Sequence, residues 1–153
     1  MADGWQIRPI YRRDLCLDGS STKNNKMERS LKIMPLSSNY LLIASMDVEQ
    51  KHEAIFNEVY DKEHVPYLSE VPGVISIARF QKRELTMIIG GEKRTIRIEN
   101  EPEHTAIYEL QSPEVLVSEA WAKAVEKGRW PADVRPYTKN RRHVLLKLMP
   151  LKK

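Results

Sequence analysis

Hydrophobic positions along the chain fall into short runs separated by turn residues, and the spacing inside each run predicts its element. Tyr40-Leu41-Leu42-Ile43-Ala44-Ser45-Met46 is a near-continuous apolar stretch of strand length that suits a buried strand. Asp47, followed three positions on by Gln50, predicts a helix N-cap with a capping box. From Glu49 to about His64 the period turns helical. Ile55 and Val59 stack one turn apart, as do Phe56 and Tyr60, while Glu53, Glu58, Asp61 and Lys62 supply polar positions. Pro66 disfavours helical geometry at Val65, so the helix is expected to end or kink there. Val71-Pro72-Gly73 then reads as a turn.

The second half follows the same logic. Val74 to Gln81 is a strand, and the β-rich runs Leu85 to Ile89 and Lys93 to Ile98 flank Gly90-Gly91 as a hairpin extension whose register Glu92 leaves open. Thr105 to Leu110 is the next strand. Ser112 is a plausible N-cap, Pro113 suits the first helical position, and Glu114 meets the positive end of the helix dipole. Val117, Ala120, Trp121, Ala124 and Val125 fall on one face of this helix, and Gly128 marks its end. A loop from Arg129 to Asn140 leads to a closing strand from Arg141 to Leu148.

The order strand, helix, strand, strand, helix, strand, with a hairpin between the second and third main strands, predicts an α+β domain. The expected architecture is a ferredoxin-like βαββαβ unit over residues 38–150, with an inserted β-hairpin. In a split βαβ arrangement both crossovers place their helices on one face of an antiparallel sheet. The other face is then bare. Leu41, Ile43, Ile75, Ile77, Ala106 and Tyr108 are too many apolar residues for two wet faces. Pairing of two such sheets into a homodimeric α+β barrel is the economical expectation.

Composition narrows the function classes. At 153 residues the chain has room for one domain, and 41% hydrophobic with 30% charged residues fits a single core with a wet surface. No run of about 18 apolar residues suggests a membrane span. The single Cys16 excludes an internal disulfide, and Met1 to Ile10 lacks the apolar core of a signal peptide, so a cytoplasmic protein is expected. The net charge of +4 sits mostly upstream: residues 1–37 hold seven basic and four acidic residues, leaving 18 against 17 in the rest. That leader, with its polar stretch Asp18 to Lys26, is expected to be loosely ordered, and Met27 or Met34 are alternative starts. The near-neutral domain argues against a nucleic-acid partner.

Tyr60-Asp61-Lys62-Glu63-His64-Val65-Pro66, followed by Glu70-Val71-Pro72-Gly73-Val74, resembles the helix end and Val-Pro-Gly turn of the dimeric α+β barrel superfamily, in particular its EthD-like members. Tyr108 to Glu114 with Trp121 is similar to their third strand and second helix. The resemblance covers about residues 38–150. It implies the barrel architecture and leaves the activity open, because the superfamily includes cyclases, isomerases, cofactor-free monooxygenases, haem-handling proteins and members without a known reaction.

His64 is the strongest candidate for chemistry. It lies about one turn after Tyr60, where both can face a cavity, and an imidazole can move protons near pH 7. The alternative is a wet histidine capping helix carbonyls. Tyr60, Tyr67 and Tyr108 are candidates to orient a carbonyl substrate, Trp121 to line the cavity, and Arg79 to bind a carboxylate from the second strand. Packing roles compete with each of these. Trp130, Arg135 and Tyr137 suggest a lid or, preferably, a dimer contact. No histidine spacing suits a metal, no Gly-rich phosphate loop or nucleophile elbow occurs, and no cofactor is expected.

Two readings therefore stand. One is a cofactor-independent enzyme acting on an aromatic or polyketide-like compound, with His64 as acid/base and Tyr60 orienting. The other is a non-catalytic ligand-binding or accessory dimer. Nucleic-acid binding through the basic leader ranks below both.

Overall fold

The computed structural model describes residues 36–150. Residues 1–35, which carry nearly all of the expected leader, and residues 151–153 lie outside the described residues. Six strands and three short α-helices follow in the order β1 (Tyr40–Val48), α1 (Glu53–Val59), α2 (Val65–Ser69), β2 (Val74–Gln81), β3 (Leu85–Ile89), β4 (Glu92–Ile96), β5 (His104–Leu110), α3 (Glu119–Val125) and β6 (Thr138–Lys147). β2, β5, β1 and β6 form one four-stranded sheet in that spatial order, with every neighbouring pair antiparallel. The domain is thus α+β with an antiparallel sheet, consistent with a ferredoxin-like arrangement. No helix among the described residues is long and apolar enough to cross a membrane.

Register assigns each strand residue to a face. Ile77, Tyr108, Leu42 and Leu145 align in one row across the sheet, and Arg79, Ala106, Ala44 and His143 in another. These rows face the helices. On the opposite face Ser76, Glu109, Leu41 and Leu146 form a row, Ala78, Ile107, Ile43 and Val144 the next, and Phe80, Thr105, Ser45 and Arg142 a third. The bare face therefore has one wholly apolar row between two mixed ones. Glu109 is buried there, its carboxylate accepting from the backbone N–H groups of Ser37 and Ser38 and from the Ser76 hydroxyl.

The core lies between the helices and the sheet. Phe56, Val59, Leu68, Leu110 and Val134 are its most deeply buried large side chains, each contributing roughly 1.5–3 kcal/mol by leaving water. Three local features differ from the pattern read along the chain. Asp47 remains in β1 and accepts from Glu103 N–H and Asn140 Nδ2 instead of capping a helix. The first helix does not stop at Pro66: α1 runs through a π-helical turn, Tyr60–His64, into α2. There Val65 N–H bonds to the Tyr60 carbonyl, so Pro66 begins what is in effect a new first turn, where its missing N–H is tolerated. The second helix is broken in two. Pro113–Val117 is a 3₁₀ segment, Ser118 caps α3 by accepting Trp121 N–H at 3.1 Å, and Val117 is left 85% exposed.

β3 and β4 pair only with each other, joined by Gly90-Gly91, both at positive φ. Ile89 pairs with Glu92, so a two-residue turn sets the register, and glycine supplies the left-handed geometry that turn needs.

Candidate functional site

A cavity of about 380 Å³ opens between the helix-side face of the sheet and the helices. Its walls combine Leu42, Ala44 and Met46 of β1 with Leu68 of α2 and Leu116 ahead of α3. Tyr60, His64, Tyr108, Trp121 and Trp130 supply an aromatic lining, and Arg135, Arg141 and His143 the charged or titratable rim.

The π turn sets the first two aromatic residues. Tyr60 and His64 stand at its ends, with their rings edge to face at a centroid distance of 5.2 Å. Tyr60 reaches across to β5, where its hydroxyl lies 3.0 Å from that of Tyr108. Burial raises the pKa of both phenols, that of Tyr108 more strongly, so both stay protonated at neutral pH. Two hydroxyls in contact use one hydrogen between them, which leaves the second free to donate elsewhere. Trp121 meets Tyr108 edge to face at 5.8 Å.

Trp130 closes the opposite side. Gly128 takes φ +66° at the end of the second helical region. Arg129 then donates from its backbone N–H to Glu63 Oε2 at 2.8 Å and from Nε to Glu63 Oε1 at 2.6 Å. Because Glu63 precedes His64, this clamp lays the Trp130 ring flat on the imidazole at 4.2 Å. The segment expected to be a loop is in fact a π-helical turn, Trp130–Val134, followed by a 3₁₀ turn, Arg135–Tyr137. Trp130 belongs to the core and cavity of the chain itself, while Tyr137 stacks on His52 at 3.5 Å.

His64 is only 5% exposed, and its Nδ1 is buried with no hydrogen-bond partner among the described residues. Burial, helped by the nearby Arg135 and Arg79 cations, pushes its pKa down to about 4. The ring is therefore neutral at pH 7. With that pKa its protonated form would be populated only about one part in a thousand, a poor starting point for acid/base work near neutrality.

Of the residues expected at the site, Tyr60, His64, Tyr108 and Trp121 meet around the cavity and two do not. Arg79 shares the helix-side face, but its guanidinium is engaged by Asp61 Oδ1 at 2.6 Å and Asn57 Oδ1 at 2.7 Å. It lies over the Tyr60 ring at 4.3 Å, outside the cavity lining. Tyr67 is also outside, because Leu68, one turn beyond His64, takes the inward position. Tyr67 instead meets Lys127 and the Gly128 corner. Trp130, Arg141, His143 and Met46 were not expected as lining residues. Strand alternation puts His143 and Arg141 on one face of the last strand, but nothing in the sequence tells which face.

Among the described residues no three His, Cys, Asp or Glu side chains converge as a metal site would require. The chain matches no family model, and it matches no curated protein.

Proposed function

We propose that this protein binds a small, largely aromatic molecule in the cavity beside His64, and that it works as a homodimeric α+β barrel. The observation that carries the first part is the cavity itself. An apolar, aromatic-walled space of about 380 Å³ with a few convergent polar groups is at the small end of the ligand-site range. The spare hydrogen of the Tyr60–Tyr108 pair is costly to leave unused unless a ligand or water answers it. The second part rests on the resemblance noted above and on the apolar row of Ala78, Ile107, Ile43 and Val144 across the bare sheet face. In this reading the paired strands β3 and β4 are an insertion into the βαββαβ order.

Binding alone accounts for every feature of the site. A catalytic reading, a cofactor-independent cyclase, isomerase or monooxygenase with Tyr60 orienting the substrate, draws support from the convergence of two phenols and an imidazole. It requires a bound substrate whose own charge raises the His64 pKa back toward neutrality.

Titration with the neutral fluorescent probe phenylnaphthylamine tests the pocket. The full chain should enhance and blue-shift its emission, and Leu116→Trp, which fills the cavity from its half-buried wall, should abolish the effect with the circular dichroism unchanged. Equal enhancement by both proteins, or none by the wild type, would sink the reading.

A further inference from the structure

The two fixed charges around the cavity are of one sign. Its lining includes Arg135 and Arg141, and no aspartate or glutamate. Arg135 is already answered: its Nη1 and Nη2 lie 3.1 and 2.7 Å from the Glu126 carboxylate, and Nη2 also donates to the Val125 carbonyl. Arg141 differs. Its Nε donates to the Thr138 hydroxyl at 2.6 Å and its Nη2 to the Arg135 carbonyl, so the acceptors it meets among the described residues are neutral. Its neighbour Arg142, on the other face of β6, has the Glu101 carboxylate at 2.9 Å. Of these three arginines, the one that meets no carboxylate among the described residues is Arg141, at the cavity.

We propose that the ligand carries a flat aromatic body and one anionic group, a carboxylate or similar oxyanion, with the anion held at Arg141 and the ring inside among Trp121, Trp130 and the tyrosine pair. This rests on the pocket reading above and adds the charge and orientation of what fills it. Arg141 is exposed on the edge strand β6, so an anion there stays partly hydrated and avoids the cost of full burial. The aromatic interior removes the remaining surface from water. Arginine presents a planar fork that matches a carboxylate, and near low-dielectric walls that contact outweighs its value in bulk water. The Tyr60–Tyr108 hydroxyls and the neutral His64 ring then meet any polar substituent at the buried end.

Competition against bound phenylnaphthylamine, with the full chain at pH 7, separates the charge from the pocket. Naphthoate and naphthamide share a ring system and differ in charge. Naphthoate should displace the probe at a concentration about tenfold lower than naphthamide, the gain expected of one charge-assisted contact. Arg141→Lys should keep most of that preference, and Arg141→Gln should reduce it to about twofold or less. Equal displacement by the two compounds overturns the proposal while leaving the pocket reading intact, and so does a preference that survives in Arg141→Gln. Failure of the neutral probe to bind at all removes both.

Discussion

At the scale of single residues, His64 has the clearest energetic signature. In the folded chain its pKa lies near 4, against an ordinary value of about 6.5. Between those values the unfolded chain binds the extra proton, so stability is full above about pH 6.5 and falls as the pH drops toward 4. At pH 5 the loss from this one group is roughly 2 kcal/mol. Burial lowers the His104 pKa too, so a smaller slope of the same sign remains without His64. Urea unfolding at pH 7.5 and pH 5.0 should therefore show a wild-type loss that His64→Phe clearly reduces. An unchanged pH slope in that variant means His64 is not a buried neutral ring. Tyr60 and His64 were legible in the sequence because a one-turn spacing forces both onto one side of a helix. Arg79 and Tyr67 stand outside the cavity lining; periodicity gives a face and says nothing of competing partners. Asp61 and Asn57 hold the arginine elsewhere, and Leu68 holds the inward position.

At the scale of elements, the junctions matter more than the helices, which are short. Gly128 is the decisive one. Besides its positive φ, a Cβ there would stand 2.4 Å from Glu63 Oε2 and 2.9 Å from Tyr67 Cε2. Gly128→Ala therefore strains the backbone and pushes Glu63 off Arg129, loosening the segment that lays Trp130 on His64. The expected cost is about 1–3 kcal/mol, with a red shift in tryptophan emission as Trp130 gains water. Wild-type stability and an unshifted spectrum would show that the clamp does not position Trp130. The glycine itself was readable as a helix stop. The π turn before Pro66 and the break at Ser118 were not, since each depends on where the next segment packs. Ser118 can cap because the 3₁₀ segment ahead of it delivers it to the start of α3, and a helical period drawn through Val117 hides that.

At the scale of the whole molecule, the question is what covers the bare sheet face. Four strands about 4.8 Å apart and some eight residues long present a footprint of roughly 500 Å². A standard interface buries about 800 Å² on each partner. The sheet face alone falls short of that, so the dimer reading needs a second contribution. The β3–β4 pair offers one: Leu85, Met87, Ile89 and Ile96 share a face, and an isolated two-stranded ribbon is marginal in water. Sedimentation of the full chain at micromolar concentration should give a dimer. Val144→Asp, at an exposed site in the apolar row, should give a folded monomer, and Met87→Lys a weakened dimer. A wild type that stays monomeric at about 100 μM ends the barrel reading, although the cavity lies within one protomer and would survive it.

Periodicity and glycines in the chain were enough to determine the strands, the general helix positions, the α+β class and the pairing of Tyr60 with His64, because those follow from local backbone sterics and from burying one side of each element. The lining of the cavity was decided by tertiary structure alone. Trp130 reaches His64 through a salt bridge between residues 66 positions apart, and Arg141 comes to the rim through the register of β6 on β1. Contacts of that range depend on which surfaces meet, and a linear pattern records only which surfaces are available.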